Sequence, residues 1–367
     1  MKKILVAGYG NIGKALQNVA SSYRVDLEFE FIDSAVNCSI EEYLKSVKID
    51  SLPDILINLT GAASNEILLM CSERGINYID TGVEVDNTTV RDVLEAFEIF
   101  KSSEPNVKAI IGAGMNPGII EVIYSKYKPD YYHSAIELET DSAECSGEIF
   151  NTWSPFSLYS EFCVDNTFYY NREIVPLEKT AKQISFKESF GSRADRFNLV
   201  PHEEIVSMVR SNEKCLLSAF LYSPPKRISD YFISSSQKTA EKAIKNIPVY
   251  HDITGEDCVG ILIHNEEQPD ELFHYYYNRA DHQECYKKYG VNGTSWQVVC
   301  GVLSAIHIID LLTQKKVYTM TEIAEEHCDT IIEYLKTLGF FIEKKDYMLD
   351  GRLIMELQEI KNNHVLF

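Results

Sequence analysis

The chain has 367 residues, with 55 Asp and Glu against 35 Lys and Arg, and its formal net charge is -20. Such a charge serves solubility, repels nucleic acids and anionic membranes, and attracts cations, so we expect no nucleic acid and no membrane as a partner. The nine cysteines form no Cys-x-x-Cys pair, which indicates reduced thiols in a cytoplasmic protein and predicts no metal site.

The N-terminal third of the chain alternates strand and helix patterns, which predicts a parallel sheet with helical crossovers. Ser39 is a suitable N-cap for the second helix. The predicted elements are, in chain order, strand 3–7, helix 11–21, strand 27–32, helix 40–47, strand 55–59, helix 65–74, strand 77–80, helix 90–101 and strand 108–112.

The pattern then changes to extended runs between about 134 and 277, which predict a mainly antiparallel sheet. A long apolar helix over 295–312 is expected to return to the first domain and cover its sheet. We therefore predict an α/β protein with a doubly wound Rossmann domain, an inserted α+β domain for substrate binding and homodimer formation, and a C-terminal return helix with an appendix. These three parts are predicted to span 1–125, 126–290 and 291–367.

The first strand runs into a G-x-G-x-x-G motif that opens the first helix, which is the context of a dinucleotide site. Its glycines allow a tight turn, a close approach to a pyrophosphate and close packing of helix on strand. Asp33 ends the second strand, where an acidic side chain binds the ribose of NAD. We therefore predict NAD as the cofactor, bound by Gly8, Gly10, Asn11, Ile12, Gly13 and Asp33.

Later strand ends carry small and polar residues, and ligands of such sheets bind outside the carboxyl ends of the strands. Asn58 and Thr60 lie at the carboxyl end of the third strand, Thr81 follows the fourth, and Pro117 lies in a loop after the fifth. We assign these four residues to cofactor binding. For Thr60 the alternative is a helix N-cap.

Glu84 and Asn116 follow the same strand ends and are expected to bind an amine beside the nicotinamide, as catalytic residues. A carboxylate accepts hydrogen bonds from an ammonium group, and an Asn amide binds an amine or a carboxamide. For Glu84 the alternative is a solvated loop acid or a helix cap.

Trp153 is one of only two tryptophans and lies between acidic residues that include Glu139, Asp141 and Glu161. An indole face attracts an ammonium or iminium ion, and neighbouring carboxylates add charge-assisted hydrogen bonds. We assign Trp153 and Glu161 to catalysis and Glu139 and Asp141 to substrate binding. On residue type alone, a core tryptophan is the alternative.

His202 and Tyr276 complete the predicted site. A histidine can shuttle protons during imine chemistry, so His202 is a candidate catalytic residue, although a surface histidine at a helix start explains it equally. Tyr276 belongs to an aromatic run that could wall a substrate pocket or fill the core.

Four stretches resemble the bacterial homospermidine synthases, within the wider saccharopine dehydrogenase-like group. They are Tyr78-Ile79-Asp80-Thr81 with Glu84, Asn116-Pro117-Gly118, Asn151-Thr152-Trp153-Ser154 with Glu161, and Pro201-His202-Glu203. The stretch around Trp153 is the most specific, whereas Asn-Pro-Gly is shared with the wider group.

The resemblance implies that NAD takes a hydride from putrescine, that a second putrescine attacks the resulting imine with loss of ammonia, and that the hydride returns to give homospermidine. It also implies that Trp153 stabilises the cationic imines by a cation–π contact. The diamine would be bound and oriented by Glu84, Asn116, Glu139 and Glu161.

The chain departs from the family at Ala62, which is nearest to a family Asp, and at Ser223, which replaces a family His before Pro224. One alternative is a saccharopine dehydrogenase-like or carboxynorspermidine-type imine reductase, whose carboxylated substrate needs a cationic clamp. A second is a binding or regulatory protein that keeps NAD without chemistry. The candidates for the clamp are Arg193, Arg196, Arg210 and Arg227.

Overall fold

The computed structural model divides the chain into two compact units. The first comprises Met1–Val122, Lys287–Val291 and Ser295–Phe340, and the second comprises Ile123–Tyr286, Asn292–Thr294 and the segment that starts at Phe341. The structure describes residues 1–23, 26–60, 64–82, 98–145, 147–155, 157–158, 166–171, 173–177, 183–190, 194–235, 239, 242–243, 246–268 and 272–348.

Strands and helices occur in both units and are numbered in chain order. The strands are β1 (Lys2–Ala7), β2 (Leu27–Ile32), β3 (Ile55–Asn58), β4 (Asn77–Asp80), β5 (Ala109–Ile111), β6 (His133–Asp141), β7 (Asn166–Tyr170), β8 (Glu173–Leu177), β9 (Gln183–Phe190), β10 (Ala194–Val200), β11 (Cys215–Ser223), β12 (Glu256–Asn265), β13 (Phe273–Asp281), β14 (Val317–Thr319) and β15 (Glu343–Tyr347). The helices are α1 (Asn11–Tyr23), α2 (Ile40–Ser46), α3 (Ser64–Arg74), α4 (Ile119–Tyr127), α5 (Glu204–Ser211), α6 (Lys226–Ser234), α7 (His282–Tyr289), α8 (Gly293–Ile308) and α9 (Met320–Thr337).

The first unit contains a six-stranded parallel sheet in the order β2-β1-β3-β4-β5-β14. The chain crosses from β2 over β1 to β3, so the topological switch point, where such sheets bind ligands, lies at the carboxyl ends of β1 and β3. Every residue of β3 and β5 is buried, as expected for parallel strands covered on both faces. The predicted doubly wound parallel sheet is confirmed, and β14 adds an edge strand that the sequence did not indicate.

The helix boundaries follow local capping chemistry. Ser39 caps α2 as predicted, since its side chain accepts a hydrogen bond from the Glu42 backbone N–H and Glu42 caps the Ser39 N–H in return. The helix predicted over 295–312 starts earlier, at Gly293, and ends at Ile308. Most of the helix predicted over 90–101 lies outside the described residues. Within the described part of the chain, no helix combines the length and apolar composition needed to cross a membrane.

The second unit is built on a nine-stranded sheet whose main path is β15-β13-β12-β6-β11-β10-β9, with β7 paired with β11 and β8 paired with β7. Its described pairings are antiparallel except for β6 and β11, which run parallel. The prediction of a mainly antiparallel sheet is therefore confirmed, with β6 and β11 as the exception. The predicted C-terminal appendix supplies β15, which pairs with β13 at the sheet edge.

Helix α8 packs so closely on the loop after β5 that it requires a glycine. A Cβ built on Gly301 would lie 2.0 Å from the backbone oxygen of Gly114. We expect Gly301→Ala to lower the free energy of unfolding by about 1–3 kcal/mol through this overpacking, against a helix-propensity gain of about 1 kcal/mol. Ser304→Ala, one turn later in α8, is the control. Thermal denaturation measures both, and equal melting temperatures for the two variants would contradict the close contact.

Candidate functional site

The loop between β1 and α1 has the geometry that the glycine motif predicts. Gly8 has φ +100°, and a Cβ on it would lie 2.5 Å from the Leu59 oxygen. A Cβ on Gly13 would lie 2.1 Å from the Gly8 oxygen, so this glycine allows α1 to pack closely against the end of β1. Nothing lies within 4 Å of a Cβ built on Gly10, which leaves its backbone open to a ligand.

Asp33 lies at the end of β2 and is fixed beside this loop. Its Oδ2 accepts a hydrogen bond of 2.9 Å from the Tyr9 backbone N–H, and its Oδ1 accepts one of 2.9 Å from Ala35. These two bonds lower the pKa of Asp33, so the side chain is ionised at neutral pH. Asn11 donates to the Ser295 hydroxyl at 3.1 Å, and Ile12 is half-buried.

The carboxyl ends of β3, β4 and β5 are tied together by buried polar side chains. The Asn58 amide donates to the Tyr78 hydroxyl at 3.0 Å, and this hydroxyl donates to Asp80 Oδ2 at 3.0 Å. Asp80 Oδ1 then accepts from the Gly112 backbone N–H at 2.9 Å. Asn58 Oδ1 accepts from both the backbone N–H and the hydroxyl of Thr60. Asn58 is therefore held inside the protein, while Thr60 is exposed.

The Asn116-Pro117-Gly118 loop follows β5 and is compact. The peptide bond between Asn116 and Pro117 is cis, and Gly118 has φ +136°. The Gly114 N–H donates to the Pro117 oxygen at 2.9 Å, which closes the loop. Thr81 lies against it, with its oxygen 3.5 Å from a Cβ built on Gly114. In the first unit, the Asn-Pro-Gly loop and Thr81 thus lie together after β4 and β5.

The second unit carries a row of acidic side chains on one face of its sheet. Glu137, Glu139 and Asp141 alternate along β6, so their side chains share a face. Asp257 of β12 pairs directly with Asp141. All four are buried, with exposed fractions of 0%, 4%, 5% and 0%. We call these four residues the carboxylate row.

The opposite face of the same strands is apolar, and this fixes which side chains form the row. Ile136 and Leu138 of β6 and Cys258 and Leu262 of β12 belong to one buried hydrophobic cluster. A register slip of one residue would place the acids in that cluster. The row is therefore specified by the apolar pattern between its members, and an acid at every second position of β6 is the sequence signal for it.

Asp141 is hydrogen-bonded through both of its carboxyl oxygens. Its Oδ1 accepts from the Ala143 N–H at 2.8 Å and lies 3.1 Å from His282 Nε2, and its Oδ2 accepts from the Thr152 hydroxyl at 2.7 Å. His282 Nδ1 accepts from the Gly293 N–H at 3.0 Å, so the ring donates to Asp141 through Nε2. Asp141 thus supports neighbouring loops, a role that the sequence did not indicate.

Burial and mutual repulsion change the protonation of the row. Burial opposes a charge on His282, but Asp141 raises its pKa overall. Because His282 Nδ1 accepts a hydrogen bond from the Gly293 backbone N–H, the imidazole is neutral in this geometry. Burial, and then the nearby Glu139 and Asp141, raise the pKa of Asp257 well above the usual value. Asp257 Oδ2 accepts from the Thr294 hydroxyl at 2.6 Å, whereas its Oδ1 has no hydrogen-bond partner among the described residues.

At the other end of the row, Glu137 lies against Glu204 at the start of α5. Burial and the Glu204 carboxyl raise the pKa of Glu137 well above its usual value. His202 Nδ1 lies 2.9 Å and 3.0 Å from the two carboxyl oxygens of Glu204. In the described part of the chain, His202, Glu203 and Glu204 also form the group whose ligand atoms are close enough to hold a metal ion, at within 4.8 Å of one another.

Trp153 follows a loop that is anchored to the carboxylate row. Thr152 binds Asp141, and the Asn292 amide donates to the backbone oxygens of Thr152 and Tyr250 at 2.6 Å and 2.7 Å. Trp153 itself is half-buried, and its Nε1 is buried with no hydrogen-bond partner among the described residues.

Tyr276 of β13 is stacked on Tyr127, with ring centroids 4.0 Å apart and planes at 7°. Its partner on β12 is Ile261, which in turn pairs with Glu137, so Tyr276 lies on the face of the carboxylate row. Two other predicted site residues, Glu84 and Glu161, lie outside the described residues.

Sequence reasoning missed four polar residues of this arrangement. Glu137 alternates with Glu139 and Asp141 along β6, so a local signal for it was present and was overlooked. The other three are brought to the row by long-range pairing of β6 with β12 and by α5 and α7, which no local pattern predicts. The missed residues are Glu137, Glu204, Asp257 and His282.

No protein-family model matches the chain, and no curated protein sequence matches it. Among solved structures, the chain is similar to homospermidine synthase from Legionella pneumophila in complex with NAD, with a TM-score of 0.75, 18% identity, and 94% of this chain and 91% of that chain covered. It is also similar to saccharopine dehydrogenase (L-Glu forming) from Saccharomyces cerevisiae, with a TM-score of 0.64, 9% identity, and coverage of 95% and 100%. The chain therefore has the saccharopine dehydrogenase-like fold, a Rossmann sheet combined with a second, mainly antiparallel sheet. Within that fold, the predicted likeness to homospermidine synthase is confirmed at the level of structure.

The raised pKa of Asp257 makes stability fall with pH. The folded protein holds this proton to a higher pH than the unfolded chain, so stability is lost as pH rises from the unfolded pKa to the folded one. We expect Asp257→Asn to raise the melting temperature at pH 7 by about 2–4 °C, the range for about 1 kcal/mol in a domain of 150–250 residues. The gain should shrink towards pH 4.

The matched control for this prediction is Asp252→Asn, which removes one charge from an exposed position. Differential scanning calorimetry between pH 4 and pH 8 measures both variants. A loss of stability in Asp257→Asn that is the same at every pH would contradict the raised pKa.

Proposed function

We propose that this chain is an NAD-dependent enzyme that acts on diamines by the chemistry of a homospermidine synthase. A diamine is oxidised to an imine, the amine of a second diamine replaces ammonia, and the new imine is reduced. The single observation that carries the proposal is the carboxylate row, four buried acids on one sheet face. No described lysine or arginine forms an ion pair with the two end members, Glu137 and Asp257.

A dinucleotide is supported by the first unit. The glycine loop leaves its backbone open at Gly10 and at the start of α1, where N–H groups and the helix dipole bind phosphates. The ionised Asp33 favours the ribose hydroxyls of NAD and repels the additional phosphate of NADP. The Legionella pneumophila neighbour was solved with NAD. When bound, NAD would accept the hydride and later return it.

A dicationic substrate is supported by the second unit. An uncompensated buried carboxylate is costly, and the raised pKa values of Glu137 and Asp257 lower this cost because these side chains hold protons. An ammonium group that approaches Asp257 Oδ1 supplies the missing partner and favours the ionised carboxylate. The row would therefore select amines and reject dicarboxylates, because a substrate carboxylate would add to the negative charge.

The role proposed for Trp153 is to stabilise positive charge on the reacting carbon and nitrogen. Its loop is fixed to Asp141 through Thr152, so the indole would be held in place before the substrate arrives. An indole face contributes about 0.5–2 kcal/mol to a desolvated cation. Asn116, in the compact loop of the first unit, is proposed to bind an amine or the carboxamide of NAD.

The imine-reductase alternative finds less support. Its substrate carries a carboxylate that needs a cationic clamp, usually arginine. Arg196, Arg210 and Arg227 are all exposed, and Arg193 lies outside the described residues. A carboxylated substrate would also be repelled by the carboxylate row.

The experiment that tests the proposal incubates the purified protein with NAD and 1,4-diaminobutane and identifies products by mass spectrometry. We expect a triamine with two four-carbon arms, together with one ammonia per triamine and no net NADH. NADH oxidation on a keto acid, with no product from any diamine, would instead support the imine reductase. NAD binding without turnover of either substrate would support a binding protein.

Trp153 provides a second test of the same proposal. We expect Trp153→Leu to lower kcat/KM for the diamine by about 2–30-fold, which corresponds to the loss of about 0.5–2 kcal/mol of cation–π stabilisation. Trp153→Phe, which keeps a weaker aromatic face, should lose less. The matched control is Trp296→Phe, because Trp296 is the other tryptophan and packs on Phe340 in the first unit. Equal rates in Trp153→Leu and wild type would rule out the cation–π role.

A further inference from the structure

A continuous series of hydrogen bonds joins the carboxyl ends of β3, β4 and β5. The Thr60 hydroxyl donates to Asn58 Oδ1 at 2.7 Å, and the Asn58 amide donates to the Tyr78 hydroxyl at 3.0 Å. Tyr78 donates to Asp80 Oδ2 at 3.0 Å, and Asp80 Oδ1 accepts from the Gly112 backbone N–H at 2.9 Å. We call the three buried side chains, Asn58, Tyr78 and Asp80, the strand-end network.

The hydrogen bonds of the strand-end network have a fixed direction. Because Asn58 Oδ1 accepts from the Thr60 backbone N–H, the amide nitrogen of Asn58 faces Tyr78 and can only donate. A carboxylate can only accept, so the Tyr78 hydroxyl accepts from Asn58 and donates to Asp80. The three side chains are 4%, 0% and 1% exposed, so bulk water does not reach them. Removal of the Tyr78 hydroxyl would take a hydrogen bond from both of its neighbours.

One end of the strand-end network lies beside the glycine loop. A Cβ built on Gly8 would lie 2.5 Å from the Leu59 oxygen and 3.1 Å from the Thr60 nitrogen, so the loop between β1 and α1 packs on the backbone that follows β3. Thr60 is exposed, and Asn58 holds it through both its backbone N–H and its hydroxyl. This end of the network therefore borders the segment that is expected to bind the pyrophosphate.

The other end of the network fixes the start of the Asn-Pro-Gly loop. The Asp80 side chain binds the Gly112 N–H, and the Asp80 backbone oxygen accepts from the Ala113 N–H at 2.8 Å. Gly112 has φ +66°, and a Cβ built on it would lie 3.1 Å from the Pro117 side chain. Pro117 therefore packs on the glycine that Asp80 holds in place.

We propose that the strand-end network positions the nicotinamide half of NAD, with Tyr78 as the residue that joins its two ends. The inference rests on the NAD part of the proposed function. In a doubly wound sheet the pyrophosphate lies at the first βα turn, and an acid in the place of Asp33 binds the adenosine ribose on the β2 side. The nicotinamide then extends in the other direction, over β3, β4 and β5. The network ties together the loops on that path.

All three members of the network are positioning residues, because they are enclosed and act through Thr60 and the Asn-Pro-Gly loop. Asn58, which the sequence assigns to cofactor binding, would thus act on the cofactor through Thr60. Hydride transfer depends on the placement of the nicotinamide, since a displacement of about 1 Å can lower a rate by about 10²-fold. Side chains on strands are more precise supports for such a group than side chains on loops.

Calorimetric titration with NAD and with ADP-ribose, which lacks the nicotinamide, tests the proposal without any diamine. We expect Tyr78→Phe to weaken NAD binding by about tenfold, equivalent to about 1.4 kcal/mol, and ADP-ribose binding by less than about twofold. Asp80→Asn should act in the same way, because its new amide would donate to a Tyr78 hydroxyl that already accepts from Asn58. The matched control is Tyr43→Phe, which removes a hydroxyl that donates to Glu30 of β2 at 2.6 Å.

Further measurements separate positioning from a folding defect. All variants are first compared by thermal denaturation. The fluorescence anisotropy of bound NADH reports motion of the nicotinamide ring, and we expect it to fall in Tyr78→Phe and to keep its wild-type value in Tyr43→Phe. The double variant of Tyr78→Phe and Asp80→Asn should bind NAD within about twofold of the weaker single variant, because both substitutions break the same link.

The outcomes distinguish this inference from the proposed function. Equal losses of NAD and ADP-ribose affinity in Tyr78→Phe, or an unchanged NAD affinity, would overturn the positioning role. Failure of the wild type to bind NAD would overturn that role together with the cofactor part of the proposed function. Absence of diamine turnover with NAD binding intact would overturn the diamine chemistry alone, and the two affinities would still decide the role of the strand-end network.

Discussion

The burial of several acidic side chains on one sheet face is the constraint on which the second unit depends. Four acids of the carboxylate row, with Glu204 beside them, are enclosed on one face of a sheet whose other face is hydrophobic. The protein lowers the free-energy cost of burying these acids in two ways. Asp141 is hydrogen-bonded by a histidine, a threonine and a backbone N–H, whereas Glu137 and Asp257 have raised pKa values and keep protons. Hydrogen-bonded and protonated buried acids are both expected in a site that binds a cation.

The same constraint connects stability with the proposed chemistry. Acids that must hold protons to stay buried destabilise the folded state as pH rises, and a cationic ligand would reverse this. Asp141 uses its hydrogen bonds to fix the loop that carries Trp153, so the row positions an aromatic face as well as supplying charge. In the first unit, hydrogen bonds that link the side chains of Asn58, Tyr78 and Asp80 fix the strand ends beside the glycine loop.

Features encoded locally were predictable from the sequence, and features encoded by long-range pairing were not. The glycine loop, the position of Asp33 at the end of β2 and the Ser39 cap depend on neighbouring residues, and each was found. Strands β14 and β15, and the parallel pairing of β6 with β11, depend on distant partners and were missed. Asp257 and His282 were missed for the same reason, since only the sheet register and α7 bring them to Asp141.

The central claim is that the carboxylate row binds an organic dication, and calorimetric titration tests it most directly. The NAD-loaded protein is titrated at pH 7 with 1,4-diaminobutane, with 1-aminobutane and with a dicarboxylate of similar length, in buffers of different ionisation enthalpy. We expect the diamine to bind most tightly, the dicarboxylate not to bind, and protons to be released into the buffer as the row ionises. Binding of the dicarboxylate, or diamine binding that is unchanged in Asp257→Asn and releases no protons, would contradict the central claim.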